Sequence, residues 1–264
     1  QMIKAMRTAA SGMGAQQMNV DNIANNLANV NTTGFKKSKL EFQDVLYQNY
    51  RKAGVASAAG NQVPTGLAIG YGTRPAATVR EFGIGDLQST GNPLDVAIAG
   101  DGFFQIQRPD GTTAYSRDGS FKMSADGRVV TSDGYYLLPE VTIPENAESI
   151  AIGSDGMIEV TQTGSDTPAQ IGQIELARFI NPAGLSAIGK NLLVPTGASG
   201  APVTNTPGQG GLGTLDQGYL EMSNVSVVDE MVNMIVAQRA YEMNSKAIQT
   251  ADDMAAVANN LKRA

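Results

Sequence analysis

The sequence predicts an α+β protein in which both chain ends form one discontinuous two-helix coiled-coil unit, with an irregular antiparallel β domain inserted between them. All 11 prolines lie between Pro64 and Pro207, and the only glycines outside residues 34–218 are Gly12 and Gly14. Because both residue types interrupt helices, continuous helices are expected only at the two ends. Helical apolar spacing at both ends and repeated Asp-Gly pairs in the middle support the same division.

The C-terminal segment from Tyr219 to Ala264 contains neither glycine nor proline and carries apolar residues at a mean spacing of about 3.6. We expect its helix to begin near Ser226 as the N-cap, with Asp229 and Glu230 in the first turn, where the helix dipole favours negative charge. The residues expected on its subunit-contacting face are Val232, Ile235, Val236, Ala240, Met243, Ala247, Ala251, Met254 and Leu261.

The N-terminal segment shows alternating apolar steps of three and four, which is a heptad seam with one polar exception, Gln17. Six asparagines crowd its second half and together lower its helix propensity by roughly 3–4 kcal/mol. We therefore expect this helix to be ordered only when another helix covers its seam. Since no third helical segment lies between the two ends, the helices are expected to pack on each other and on neighbouring copies. The seam residues are Ile3, Met6, Ala10, Met13, Val20 and Leu27.

The middle of the chain is predicted to be a meander of short antiparallel strands. Asp-Gly pairs, which favour tight hairpin turns, occur at Asp110-Gly111, Asp118-Gly119, Asp126-Gly127 and Asp133-Gly134. The resulting organisation is a terminal helical domain (1–34 and 219–264), an extended connecting segment (35–85), a β domain (86–202) and a Gly-rich return linker (203–218).

Composition excludes several functional classes. The chain has no Cys, His or Trp, so disulfides, zinc fingers and histidine bases are excluded, and no cofactor or metal is expected. A net charge of -6 argues against nucleic acid. Residues 1–52 nevertheless carry seven basic and three acidic groups, a net +4 that could meet acidic surface on another subunit. The absence of a long apolar run predicts a protein that is neither membrane-integral nor exported with a cleaved signal.

Two glycine-rich motifs suggest nucleotide binding only weakly. Residues 184–190 read G-L-S-A-I-G-K, one residue short of a phosphate-binding loop, and a strand-and-turn sequence rather than a helix follows them. Residues 208–213 match G-x-G-x-x-G, but no hydrophobic strand precedes them. Without a paired-carboxylate spacing or a nucleophile elbow, no residue is nominated as catalytic.

Several segments carry the resemblance to a known family. The run N-N-L-A-N-V-N-T-T-G-F over residues 25–35 resembles the N-terminal signature of bacterial flagellar rod and hook axial proteins, and residues 223–247 resemble the closing helix of that family. Residues 95–104 and 115–121 are similar to its β-domain signatures. The signature positions are Asn25, Asn26, Leu27, Ala28, Asn29, Gly34, Phe35, Gln238, Arg239, Ala240 and Tyr241.

Within the family, the segment after the first helix is similar to the extended insertion of the distal-rod members. It contains Tyr47, Tyr50, Pro64, Gly66, Leu67 and Ile69. The resemblance implies a non-enzymatic structural subunit that is exported by the flagellar type III apparatus and polymerises into the rigid hollow drive shaft across the periplasm. The implied partners are further copies of the chain, proximal rod proteins, the hook protein, and the peptidoglycan and outer-membrane ring proteins.

Three alternatives remain open from the residues. A proximal rod or hook protein of the same family is the nearest of them. An exported enzyme acting on cell-wall glycan and a monomeric adhesin belong to other classes. Turnover by the purified chain would identify an enzyme, and protease-resistant termini in dilute solution would favour an adhesin.

Overall fold

The computed structural model describes residues 2–51, 65–164 and 167–261. A helix near each end and antiparallel β structure between them confirm the predicted α+β class. The chain divides into two compact units. Unit 1 comprises residues 1–27, 38–79 and 226–264, and unit 2 comprises residues 28–37 and 80–225. Residues 38–79, predicted as part of a connecting segment, belong to the same unit as both helices.

Unit 1 contains both long helices and four strands. Helix α1 spans Met2–Ala28 and helix α2 spans Val227–Leu261. Strand β1 (Ser38–Asp44) pairs with β4 (Thr73–Arg80), and β2 (Tyr47–Arg51) pairs antiparallel with β3 (Leu67–Gly70). The predicted start of α2 is confirmed. The Ser226 hydroxyl accepts a hydrogen bond from the Asp229 amide at 3.4 Å, and Asp229 and Glu230 occupy the first turn.

Unit 2 is built from short strands. The strands are β5 (Leu87–Ser89), β6 (Val96–Ala99), β7 (Phe103–Gln107), β8 (Thr113–Ser116), β9 (Lys122–Met123), β10 (Val129–Val130), β11 (Tyr136–Leu138), β12 (Ala147–Ile152), β13 (Met157–Gln162), β14 (Ala169–Gln173), β15 (Leu176–Arg178), β16 (Ser186–Gly189), β17 (Leu192–Val194), β18 (Val203–Asn205), β19 (Thr214–Gln217) and β20 (Tyr219–Glu221). The largest sheet within the described residues has the order β16-β17-β8-β7-β11-β10-β9, with β15 joining β7 to β18. Strands β12, β13 and β14 form a second antiparallel sheet, and the pairs β19-β6 and β20-β5 complete the unit.

Three of the four Asp-Gly pairs connect neighbouring antiparallel strands, as predicted, and their glycines, Gly111, Gly127 and Gly134, have positive φ. The prediction is wrong for Asp118-Gly119, because β8 and β9, which flank it, do not pair. A Cβ on Gly119 would lie 1.7 Å from the carbonyl oxygen of Val96. The glycine therefore permits a close crossing of two backbones rather than a hairpin turn.

The core of unit 2 consists of apolar side chains on the inner faces of the strands. Phe104 and Phe121 are almost completely buried and pack edge to face, with ring centroids 5.0 Å apart. A second cluster contains Phe103, Tyr115 and Phe179. Burial of these large side chains supplies the hydrophobic free energy that holds the short strands together.

Candidate subunit interface and ion cluster

Helices α1 and α2 meet at two contacts that define their pairing. The Asn26 side-chain amide donates to Glu230 Oε2 at 3.2 Å, and a Cβ added to Gly12 would lie 2.8 Å from Asn244 Nδ2. Compared with the first contact, the second lies 14 residues earlier in α1 and 14 residues later in α2. The helices are therefore antiparallel and in one register, and Gly12 allows them to approach closely.

The face that α2 buries within the chain follows a heptad. Glu230, Ala237 and Ala251 are 6%, 1% and 4% exposed, at intervals of seven and fourteen residues. The buried residues of α1 are Ala9, Ala15, Ile23 and Asn26. The intrachain seam is thus made mostly of small side chains.

The predicted seam residues of α1 lie mainly outside this buried face. Ile3 is 73% exposed, Ala10 is exposed, and Met6, Met13, Val20 and Leu27 are half-buried. An α-helix has 3.6 residues per turn, so two side chains that are one position apart in sequence point about 100° apart around the helix axis. Ala10 and Leu27 each lie one position beyond a buried residue, Ala9 and Asn26, and the predicted seam leaves apolar surface accessible.

The predicted α2 face is more strongly exposed. Of its members only Ala251 is buried, Ala240 is half-buried, and Leu261 belongs to the helix although its side chain lies outside the described residues. The exposed ones are Val232, Ile235, Val236, Ala247, Met243 and Met254, and Val228 and Met231 extend the same surface. We define the apolar stripe of α2 as Val228, Met231, Val232, Ile235 and Val236. These side chains are 53% to 70% exposed in the single chain, which is typical of an interaction surface.

Two asparagines near the end of α1, Asn22 and the signature residue Asn26, have a structural role. Ser38, the first residue of β1, donates its backbone amide to Asn26 Oδ1 at 3.0 Å, and its carbonyl oxygen accepts from both Asn22 and Asn26. The side chain of Asn26 is 1% exposed. Asparagines that weaken α1 as an isolated helix therefore hold the start of β1 in the folded chain.

Unit 2 contains a buried ion cluster, the Glu221 cluster, formed by Lys36, Arg117 and Glu221. The carboxylate accepts from Lys36 Nζ through Oε1 and from Arg117 Nε and Nη2 through Oε2, at 2.8 and 2.7 Å. The three side chains are at most 4% exposed. Burial lowers the pKa of Lys36 below 10.5, and the Glu221 carboxylate opposes this effect.

The cluster ties together segments that are distant in sequence. Arg117 also donates to the backbone oxygens of Ile98, Gly100 and Gly102, and the backbone amide of Gly85 donates to Glu221 Oε1. Sequence reasoning did not select Lys36 or Glu221, because isolated charges 185 residues apart give no local signal.

Gly34 of the N-terminal signature lies beside this cluster. Its amide donates to the Glu221 carbonyl oxygen at 2.7 Å, its φ is +66°, and an added Cβ would lie 2.6 Å from the Asp118 amide nitrogen. A side chain is therefore excluded by both conformation and space. Nearby, Asn224 accepts from the Lys37 amide and donates to the Glu81 carbonyl oxygen.

The remaining signature residues occupy several environments. Asn25, Ala28, Gln238 and Arg239 are exposed, Asn29 is half-buried, and Phe35 is half-buried in unit 2. Tyr241 is 40% exposed. Arg239 forms a long ion pair of 3.9 Å with Glu242 on the surface of α2. The structure does not bring these residues together into one site.

The described part of the predicted insertion is an exposed hairpin in unit 1. Tyr47, Leu67 and Ile69 are 54% to 56% exposed, and Tyr50 is 45% exposed. Gly66 is exposed just before β3, and Pro64 lies outside the described residues. Lys4 Nζ lies 5.8 Å from the ring centroids of both Tyr50 and Tyr71. A cavity of about 510 Å³ is lined by this hairpin and by residues of α1 and α2.

The phosphate-loop-like motif has an ordinary structural explanation. Lys190 and Asn191 both have positive φ and form the turn between β16 and β17, so residues 184–190 are followed by a strand rather than by a helix. Within residues 2–51, 65–164 and 167–261, no cluster of acidic side chains is arranged as a metal site. No helix in this described part is long and apolar enough to cross a bilayer.

Comparison with known proteins defines the class. Residues 97–160 match the flagellar hook protein FlgE/F/G D1 domain, residues 216–261 match the flagellar basal body rod FlgEFG protein C-terminal domain, and residues 6–36 match the flagella basal body rod protein domain. These three segments include parts of both helices and of the β unit. The chain therefore belongs to the flagellar hook and basal-body rod protein family.

Full-length relatives define the branch of the family. The chain is 56% identical to flagellar basal-body rod protein FlgG of Borreliella burgdorferi over 264 residues, covering 99% of this chain and 100% of the relative. It is 49% identical to FlgG of Caulobacter vibrioides over 98% of this chain and 100% of the relative, and 43% identical to FlgG of Bacillus subtilis over 99% and 100%. The chain is a structural subunit of the distal rod in the flagellar basal body.

Proposed function

We propose that the apolar stripe of α2 and the predicted seam of α1 are the surfaces through which neighbouring copies bind one another in the rod. The observation that carries this proposal is the exposure of Val232, Ile235 and Val236, at 53%, 56% and 61%, on the longest helix of the described chain. Full burial of an exposed side chain of this size contributes about 1.5–3 kcal/mol, and roughly half of that remains to be gained at each of these positions. Contacts of this kind between non-equivalent surfaces do not close and so generate a helical filament.

The filament acts as the drive shaft that transmits torque to the hook. Torque is distributed over many repeated contacts, so each interface needs only moderate strength. In this scheme the helices of successive copies line a hollow tube, the insertion stiffens it, and the β unit meets the surrounding peptidoglycan and outer-membrane rings. Proximal rod proteins and the hook protein bind the two ends of the shaft. The scheme assigns no catalytic residue.

Export precedes assembly. The chain passes through the flagellar type III apparatus, and the asparagines and glycines of α1 lower its intrinsic helix propensity, which favours an unfolded passage. Neighbouring copies then bury the exposed stripe, so folding and polymerisation free energies are linked. This linkage keeps the subunits from assembling before they reach the growing tip.

Electron microscopy of isolated basal bodies tests the proposal. A peptide tag in the exposed turn at Gly134, where an added Cβ would meet no atom within 4 Å, marks the chain with little disturbance of the fold. Labelling along the distal segment of the rod is expected. Labelling confined to the hook or to the proximal segment would contradict the proposal.

A further inference from the structure

We propose that Asn26 is a positioning residue that sets the register between α1 and α2 through its hydrogen bond to Glu230. The contact lies within one chain, so it can be examined in a dilute monomer without the polymer proposed above. Its consequence for the rod, given last, does rest on the proposed function.

The seam between the helices does not by itself define a register. Its buried residues include Ala9 and Ala15 of α1 and Ala237 and Ala251 of α2. A slide of one heptad moves the helices by about 10 Å, and alanine has no extended side chain that a pocket on the facing helix could hold in one position. Alanine contacts of this kind discriminate weakly between registers, so another group must make the native one preferred.

Asn26 has the geometry to do so. Its Nδ2 donates to the Ser38 carbonyl oxygen at 2.8 Å and to Glu230 Oε2 at 3.2 Å, while its Oδ1 accepts from the Ser38 amide at 3.0 Å. Ser38 is only twelve residues away along the chain and orients the Asn26 amide locally. One donor hydrogen is then directed at Glu230.

A slide would separate two groups that are both shielded from water. Asn26 is 1% exposed and Glu230 is 6% exposed. Buried polar groups that lose their partner are strongly unfavourable, and a single buried polar pair in an apolar helix seam is a well-attested determinant of register. The second contact, Gly12 against Asn244, lies 14 residues along each helix and agrees with the same register.

Disulfide trapping reads the register directly, because the chain contains no cysteine of its own. The pair Gly12→Cys and Asn244→Cys reports the native register, since the two positions are in contact. The pair Gly12→Cys and Ala237→Cys reports a slide of seven residues, which is too far for a disulfide in the native register. In the otherwise unchanged full-length chain, we expect the native pair to oxidise at least tenfold more than the shifted pair.

Variants of the polar pair then separate register from stability. In the double variant Asn26→Leu/Glu230→Leu, the ratio of native to shifted disulfide is expected to fall to within twofold, although the helix pair becomes more apolar. Asn26→Asp, which differs little in size, should lower the ratio by setting a carboxylate against Glu230. Glu230→Gln keeps an acceptor for Asn26 and should retain the ratio. Asn22→Ala should retain it too, because it removes only the two hydrogen bonds between Asn22 and Ser38.

An unchanged tenfold ratio in both Asn26→Asp and the double variant would overturn the inference, and so would equal yields of the two disulfides in the parent chain. Circular dichroism of each variant identifies any that fails to fold, and Asn26→Asp then provides the decisive comparison. If the ratios change as expected but the variants still build normal rods, the register role stands. Such a result would refute only the claim that polymerisation needs a fixed register.

For the rod, a fixed register means that every copy presents the α2 stripe at the same height along α1. Regular helical arrays require identical surfaces on every subunit. Isolated basal bodies from Asn26→Asp cells should therefore contain short or irregular distal rods, while Asn22→Ala rods keep the normal length.

Discussion

The guanidinium of Arg117 donates to one carboxylate oxygen of Glu221 through both Nε and Nη2, at 2.8 and 2.7 Å. The other carboxylate oxygen accepts from Lys36 and from the Gly85 amide. One anion therefore neutralises charge from two buried cations that belong to different segments of the chain. Removing the Glu221 carboxylate is expected to destabilise the folded chain by more than the net contribution of the ion cluster to stability, because both cations then lose their counterion.

Replacing Glu221 with Gln should destabilise the folded chain by about 3–5 kcal/mol, since two buried cations lose their counterion. Urea unfolding of the purified protein measures the change. The matched control is Glu140→Gln, which removes an exposed ion pair to Arg128 and should cost less than about 1 kcal/mol. Equal losses in the two variants would show that burial of the cluster has no energetic consequence.

Gly34→Ala should destabilise the protein more than Gly111→Ala. Both glycines have positive φ, at +66° and +80°, so both substitutions introduce strain of about 1 kcal/mol. Only at Gly34 would the new Cβ also lie 2.6 Å from the backbone nitrogen of Asp118, whereas nothing lies within 4 Å at Gly111. Chemical denaturation should give a difference of at least about 1 kcal/mol between the variants, and a difference near zero would contradict the crowding at Gly34.

Ile235→Asp should abolish motility while changing the stability of the monomer by less than about 1 kcal/mol, because Ile235 is 56% exposed in the chain. Within the rod, the same carboxylate would be buried at a subunit contact and cost several kcal/mol per copy. Swarm-plate diameter and urea unfolding provide the two readouts. Asn233→Asp, at an exposed polar position of the same helix, is the control and should swim normally.

Leu27→Asp tests the seam of α1 in the same way. Leu27 is half-buried, so some loss of monomer stability is expected together with the loss of motility. Counting rods in isolated basal bodies separates the two effects. Normal swimming by both Leu27→Asp and Ile235→Asp cells would refute the assignment of these surfaces to subunit contacts.

The lowered pKa of Lys36 predicts a specific pH dependence. In the unfolded chain its pKa returns to about 10.5, so between the folded value and 10.5 the unfolded chain binds more protons. The contribution of Lys36 to the free energy of unfolding should therefore rise with pH across that window. Below the window, Lys36 is charged in both states and the cost of burying its charge is fully present. Comparing the parent chain with Lys36→Met from pH 8 to 10.5 isolates this contribution, and a parallel pH dependence would contradict it.

Deletion of residues 47–69 should give curved or flexible shafts rather than lose the rod altogether. The deletion removes the β2–β3 hairpin, with exposed Tyr47, Leu67 and Ile69, but leaves α1 and α2 intact. Electron microscopy of rods from such cells measures their straightness. Rods as straight as those of the parent strain would exclude a stiffening role for the insertion.

Much of the fold was predictable because its determinants are local. The N-cap at Ser226, the acidic first turn of α2 and the hairpins at Asp110, Asp126 and Asp133 each depend on residues within a few positions of one another. Family signatures and the helical period likewise need no tertiary information. The sequence by itself therefore determined the class, the helix positions and the family.

Only the tertiary structure decided which helix faces pack within one chain and which charges are buried together. The apolar period of α2 pointed to Val232, Val236 and their neighbours, but these are exposed in the chain, which instead buries Ala237 and, of the predicted face, only Ala251. Likewise, nothing near Lys36 in sequence points to Glu221, since chain folding brings them together across 185 residues. The spacing of residues along the sequence shows that a helix face is apolar. The surface that packs on that face depends on shape and on contacts that form only when distant segments of the chain meet.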